Sequence, residues 1–179
     1  MAFYKKINFL IFFIFICCIS TVYAAGEKNT DKFKLVRIEI PRLSLDMPVE
    51  KVDFDEDKKT WDITELVGAF YWLGGTSHPD LGGNTVLAAH YMEYGEAGPL
   101  FRVRDFKNGD PIYLYSENIR YTYLVERYQY IPDHYMKYME NVPDTLTLFT
   151  CSGFNWDSGI WESRVLVIAK LESIDYLQL

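Results

Sequence analysis

The sequence has little of what disulfide frameworks, thiolate metal centres and nucleic-acid-binding surfaces require. Its 179 residues include three cysteines and three histidines, and 25 acidic residues outnumber 18 basic ones. The net charge of −7 and the lack of a basic run argue against a nucleic-acid partner. Cys17 and Cys18 lie in an apolar N-terminal stretch, so the rest of the chain has one thiol, Cys151. A single thiol excludes an intramolecular disulfide there, and it makes a metal site built from Cys and His ligands a poor interpretation.

The N-terminus carries a targeting pattern. Lys5 and Lys6 precede an apolar segment, Ile7 to Ala25, and this order of basic and apolar regions is typical of export signals. The triplet "VYA" (22–24) offers small residues where a signal peptidase cleaves. The apolar segment also has about the length that spans a bilayer. We therefore expect residues 1–25 to be a signal peptide or an N-terminal membrane anchor, and both alternatives stay open.

The remainder reads as a linker, residues 26–33, followed by one exported domain, residues 34–179. Helical signals in this domain are weak and local, at residues 99–106 and 133–139. Short segments with alternating apolar residues are instead separated by turn signals, which predicts a single all-β barrel or sandwich. Six segments are predicted as strands: 34–40, 84–90, 110–115, 120–130, 144–151 and 164–171.

Cys151 ends the strand "TLTLFTC" in a position that suggests chemistry. Successive side chains of a strand point to opposite faces, so Leu146 and Leu148 share one face and Cys151 lies on the other. If the leucines face the core, the thiol is accessible beside a Ser-Gly turn. A cysteine retained for packing would more naturally share the leucine face. A buried structural cysteine is the alternative.

Cysteine catalysis also needs a group that handles protons and donors for the charge on the attacked carbonyl oxygen. His90 ends the strand "TVLAAH" in the same way that Cys151 ends its own, whereas His78 and His134 lie in loops and look like surface residues. Arg164 opens the last strand, and a hairpin would place it beside Cys151 on the same face. A guanidinium there could bind a carbonyl oxygen or an oxyanion. The alternative for Arg164 is an exposed charge at a strand end.

An acidic segment that begins at Asp53 partly matches the pattern of a calcium-binding loop. Asp53, Asp55 and Asp57 occupy the first, third and fifth positions of such a pattern. Lys58 stands where the loop needs Gly, and Thr64 stands where it needs a bidentate Glu. We therefore predict no calcium loop here.

Several motifs together resemble the sortase family, the membrane-anchored cysteine transpeptidases of bacterial cell surfaces. They are the strand ending in His90, then "LFRVRDFKNGDPIYLY", then "TLTLFTC", then an Arg that opens the last strand. "IEIPRLSLDMPV" is similar to the family's opening strand, and "GAFYWLGGTSHPDLGGNTVLAAH" to its approach to the histidine. The likeness runs from Val36 to Leu171. "TCSGFNWDSGIWESR" resembles the class A loop, but Ala-Ala before His90 and Tyr91 after it leave classes A, D and E open.

The resemblance implies an eight-stranded closed β-barrel with short helices in loops and a role for each candidate residue. Cys151 would be the nucleophile, His90 the general acid and base, and Arg164 the stabiliser of substrate and oxyanion. Trp161, in the Trp-Glu-x-Arg ending of the loop, would contact substrate. We expect no cofactor and no metal at these residues, although some class A relatives use calcium through other acidic loops and the sequence leaves calcium dependence open.

The implied reaction is cleavage of a C-terminal sorting signal through a Cys151 thioester and transfer of the surface protein to an amine. The partners would be surface proteins that carry the sorting motif, an amine on a peptidoglycan precursor or another protein, and the membrane through the N-terminal segment. The enzyme would act outside the cytoplasm, anchored or secreted. Two alternatives remain: an exported cysteine peptidase that releases the acyl group to water, and a non-catalytic exported β-barrel binding module.

Overall fold

Eight of the ten strands in the described residues close into a barrel. The computed structural model describes residues 34–132 and 142–178. Around the barrel the strands follow the order β1-β2-β3-β4-β9-β10-β8-β7, and β5 and β6 form a separate two-stranded hairpin. The strands are β1 (Arg37–Ile40), β2 (Leu45–Val52), β3 (Phe70–Leu73), β4 (Asn84–Ala88), β5 (Met92–Glu93), β6 (Glu96–Ala97), β7 (Pro111–Ser116), β8 (Ile119–Pro132), β9 (Thr145–Asn155) and β10 (Ile160–Tyr176).

The predicted fold class is confirmed, and each of the six predicted segments contains a strand. Sequence reasoning missed β2 and β3 as strands, and it also missed the short strands β5 and β6. β3 reads "FYWL" and is buried at all four positions, so it lacks the alternation of a half-buried strand. β2 contains Pro48 and is exposed at many positions, which weakens the strand pattern.

The helical signals correspond to little regular helix. One short 3₁₀ turn, Val103–Asp105, lies within the predicted segment 99–106. Two more such turns are Pro41–Leu43 and Pro79–Leu81. The signal at 133–139 and the export segment at 1–25 fall outside the described residues. No helix among the described residues is long and apolar enough to cross a bilayer.

The barrel interior holds the larger core. Leu146 and Leu148 of β9 pack there with Val165 and Val167 of β10, as the alternation of both strands predicted. Burial of such side chains contributes roughly 1.5–3 kcal/mol each. This packing fixes which residues of β9 and β10 face outward, and Cys151 and Arg164 are among the outward ones.

A second apolar cluster covers the outside of β3, β4, β9 and β10, and we call it the outer cluster. Its buried members are Leu73, Val86, Ala88, Ile131, Phe149 and Leu166. Trp61 and Ile63, from the connection between β2 and β3, pack against it. The outward face of β9 is therefore largely covered rather than open, because this connection folds over it. Cys151, beyond the cover, is partly exposed.

Candidate active site

Two parallel strands bring His90 and Cys151 to the same edge of the barrel. β4 and β9 pair in parallel as far as Ala88 and Phe149, where β4 ends. His90 and Cys151 each follow two residues later, and the alternation of side chains puts both on the outer face. The prediction that Cys151 ends its strand is wrong, because β9 continues to Asn155 in its pairing with β10. The backbone N–H of Ala89 donates to the carbonyl of Phe149 at 3.1 Å, which extends the pairing toward the site.

A hairpin brings Arg164 to Cys151. β9 and β10 pair antiparallel, and Cys151 lies directly opposite Arg164 in the ladder, as the sequence predicted. Directly opposed residues have side chains on the same face. Nη1 of Arg164 donates to the carbonyl oxygens of Ser163 at 2.9 Å and Trp161 at 3.2 Å. These two bonds orient the guanidinium beside the cysteine.

All four residues singled out from the sequence line one cavity of about 390 Å³: His90, Cys151, Arg164 and Trp161. Ala88 and Phe149 of the outer cluster also contribute to its wall. The connection between β2 and β3 supplies another part through residues 60–64. The cavity therefore combines a thiol, an imidazole and a guanidinium with an apolar surface, which suits an extended peptide.

The backbone of that connection holds His90. Nε2 of the ring lies 2.9 Å from the carbonyl oxygen of Ile63 and 2.8 Å from that of Leu66. Carbonyl oxygens only accept hydrogen bonds, so Nε2 must carry a proton and share it between them. In the neutral ring, Nδ1 is consequently the nitrogen without a proton.

Trp61 anchors the connection that holds the histidine. Its indole Nε1 donates to the carbonyl of Gly74 at 2.9 Å, and its ring contacts Phe54 with centroids 4.7 Å apart. Sequence reasoning missed this element. Backbone carbonyls carry no residue signature, and the apolar Trp61 and Ile63 were the one available signal.

Of the two other histidines, His78 is among the described residues and His134 is not. The expectation that His78 is a surface residue is wrong, because its side chain is 1% exposed. Its Nδ1 accepts the backbone N–H of Asp80 at 3.3 Å, and its ring packs between Trp72 and Tyr121. Burial lowers the pKa of His78, although the nearby Asp80 opposes the shift. His78 is therefore part of the fold, and His134 lies outside the described residues.

The acidic segment before Trp61 is organised by turn and ion-pair contacts. Oδ1 of Asp55 accepts the backbone N–H groups of Asp57 at 3.0 Å and Lys58 at 2.9 Å. Asp53 forms an ion pair with Lys51. Among the described residues, no group of three or more Cys, His, Asp or Glu side chains is arranged to hold a metal ion.

Trp161 also belongs to an aromatic row beside the cavity. Its ring contacts Tyr91 on one side and Phe154 on the other, with centroids 5.5 Å and 5.0 Å apart. Tyr91 directly follows His90 in the chain, and Phe154 lies three residues after Cys151. The row thus extends from both residues of the candidate pair.

Comparison with known proteins points to one family. The model of the Sortase domain matches residues 38–172. Sortase A of Bacillus anthracis is 30% identical over 133 residues, which are 70% of this chain and 56% of that protein. The chain thus spans just over half the length of that relative.

Solved structures share the fold across several classes. Sortase A of Listeria monocytogenes matches with a TM-score of 0.62 and 22% identity, over 80% of this chain and 90% of that one. Sortase C-3 of Streptococcus pneumoniae matches with a TM-score of 0.66 and 20% identity, over 84% and 68%. A sortase E from Streptomyces avermitilis matches with a TM-score of 0.61 and 21% identity, over 79% and 89%. At such identities the likeness shows the fold and leaves the class unresolved. The family-model match over most of the chain shows that this protein belongs to the sortase family.

Proposed function

We propose that this protein is a cysteine transpeptidase that cleaves a C-terminal sorting signal and joins the new acyl end to an amine. One observation carries the proposal: His90, Cys151 and Arg164 meet in a single cavity through two strand pairings that fix their register. A thiol, an ionisable imidazole and a fixed cation are the groups that acyl transfer through a thioester requires.

In the first half-reaction, the Cys151 thiolate attacks the scissile carbonyl carbon and a C–S bond forms. The carbonyl oxygen becomes an oxyanion, which the guanidinium of Arg164 stabilises by a charge-assisted hydrogen bond. The C–N bond then breaks, and His90 in its imidazolium form donates the Nδ1 proton to the leaving amine. The Ile63 and Leu66 carbonyls keep Nε2 protonated throughout, so Nδ1 is the proton donor.

In the second half-reaction, an incoming amine attacks the thioester carbonyl and the steps reverse. Nδ1 of neutral His90 accepts a proton from the amine as the new C–N bond forms. The C–S bond breaks and the thiolate of Cys151 is regenerated. An unprotonated amine is a stronger nucleophile than water, so transfer competes well with hydrolysis.

The acyl donor would lie along the apolar wall that runs from the outer cluster to Cys151. Phe149 and Ala88 form part of that wall, and Ile63 of the covering connection faces it. Trp161 would contact the peptide beside the scissile bond. The donors would be surface proteins that carry a sorting motif, and the acceptor would be an amine on the cell envelope or on another protein. Residues 1–25 would hold the enzyme at the outer face of the membrane or direct its secretion.

The test is a peptide-cleavage assay with product analysis. A panel of fluorogenic peptides with Thr on the acyl side of the scissile bond is incubated with the protein, with and without an amine. We expect cleavage, a Cys151-linked acyl intermediate and an amine adduct. Absence of any acylation across the panel would refute the proposed function, and hydrolysed acid alone would assign a peptidase instead.

A further inference from the structure

A second cavity of about 700 Å³ adjoins the first. The two share Met92 and Trp161 in their walls. Along β9 the lining passes from Cys151 in the first cavity to Ser152 and Gly153 in the second. The second cavity therefore begins where the proposed nucleophile lies.

Five aromatic rings line this second cavity and form one continuous row: Phe101, Tyr91, Trp161, Phe154 and Trp156. Neighbouring centroids in the row are 5.0, 5.5, 5.0 and 4.9 Å apart. Both ends of the row are open to solvent, with Trp156 88% exposed and Phe101 42% exposed. The three rings between them are partly exposed, so no ring of the row is buried. An apolar row that stays accessible along its length marks a binding surface better than a packing element.

The second cavity also carries a positive charge. Arg104 is the one charged side chain among the described residues that line it. Its guanidinium lies 5.7 Å from the centroid of the Tyr130 ring, which is outside the cavity lining, so an aromatic face supports the cation. The complementary ligand has an apolar or planar body and an anionic group.

The order of the reaction identifies the occupant. The acyl group fills the first cavity while it is bound to Cys151, so the attacking amine must arrive from another side. The second cavity opens beside the cysteine and is continuous with the first. We propose that it is the acceptor subsite and that it takes an amine carried on a peptide with a free carboxylate. The carboxylate pairs with Arg104, and the peptide lies against the aromatic row. This inference rests on the proposed transpeptidase function.

Bond changes at this subsite are those of the second half-reaction. The amine nitrogen forms a bond to the acyl carbon, the carbon–sulfur bond breaks, and the proton passes from nitrogen to His90. Arg104 takes no part in these changes. Its contribution is to binding, so it affects the apparent KM for the amine and leaves the formation of the thioester unchanged.

The experiment compares triglycine with triglycinamide as acceptors, because the two differ at the carboxylate. We expect the wild-type protein to show an apparent KM about twofold to fivefold lower for triglycine, the upper part of the range for a solvent-exposed ion pair. Arg104→Gln should raise the triglycine KM to the amide value and leave the burst of released leaving group intact. Arg102→Gln is the matched control, because Arg102 is exposed, pairs with Asp105 at 2.7 Å and lies outside the cavity lining.

A second variant tests the aromatic row. Trp156→Ala should raise the KM for both amines by a similar factor, because it removes apolar contact without changing charge. Because the Trp156 side chain is exposed, the variant should fold normally, and a thermal melt checks this.

Two results overturn the inference while acylation proceeds normally: equal KM values for the two amines in the wild type, or an Arg104→Gln variant that keeps the preference. Failure of acylation would instead count against the proposed function. In that case, calorimetric titration of the protein with each peptide decides the inference directly. Tighter binding of triglycine that Arg104→Gln abolishes supports it, and equal binding of the two peptides overturns it.

Discussion

Replacing Arg164 with lysine keeps a positive charge opposite Cys151 but removes the planar guanidinium. In the native protein, Nη1 is directed at the carbonyls of Ser163 and Trp161, which fixes the plane of the group. A lysine ammonium can follow the same carbonyls, but it then turns away from the oxyanion. The expected loss is about one hydrogen bond from a charged donor, or roughly 1.5–3 kcal/mol.

That free energy corresponds to a decrease of about 10-fold to 150-fold in kcat/KM. The assay is steady-state cleavage of a fluorogenic sorting-signal peptide, with thermal melts to verify that the variant is folded. Arg127→Lys is the matched control, because Arg127 is an exposed arginine on the neighbouring strand β8. Near-wild-type turnover in Arg164→Lys would show that the planar guanidinium is not needed, and the reasoning about the oxyanion would be wrong.

Three further predictions concern the thiol, the imidazole and the barrel. Cys151→Ala should abolish cleavage and leave the Tm nearly unchanged because the side chain is partly exposed; retained turnover contradicts the nucleophile assignment. In ¹⁵N NMR spectra, neutral His90 should show the Nε2–H tautomer, because two carbonyls accept from Nε2; an Nδ1–H signal contradicts this. The hydrogen bond from Arg42 lowers the pKa of Asp110, so Arg42→Gln should lower the Tm at neutral pH. Arg42 stabilises only the ionised form of Asp110, so the difference in Tm between wild type and variant should disappear as the pH falls through the folded-state pKa of Asp110. A Tm difference that does not change with pH refutes this linkage.

The sequence predicted those parts of the site that follow from strand periodicity. Cys151 and Arg164 belong to two alternating strands joined by one loop, so a hairpin leaves them as neighbours on the outer face. The hairpin extends beyond them to Asn155 and Ile160, so neither residue is a strand end. His90 was found because it directly follows an apolar strand. The parallel pairing of β4 and β9 that brings it to Cys151 is a tertiary property, and the residues by themselves do not specify it.

Other features could not be found because they depend on contacts between distant segments. The carbonyls of Ile63 and Leu66 reach His90 across 27 and 24 residues, and any residue type offers such an acceptor. The aromatic row joins Tyr91 and Phe101 to rings that follow Cys151. Apart from Trp161, which the resemblance had marked as a substrate contact, each ring alone reads as an ordinary surface or core residue. His78 looked like a surface residue because its burial between two rings has no local signal.

The central claim is that Cys151 carries the acyl group and passes it to an amine. Intact-protein mass spectrometry during turnover of a sorting-signal peptide tests it most directly. The account predicts that the intact protein gains the mass of the acyl fragment. Tryptic digestion should then locate this added mass on the peptide that contains Cys151. Added hydroxylamine or triglycine should restore the original mass and give the amine adduct as product, and His90→Ala should yield no adduct. A wild-type protein that never gains mass, or one that yields only hydrolysed acid at a rate unaffected by any amine, would contradict the account.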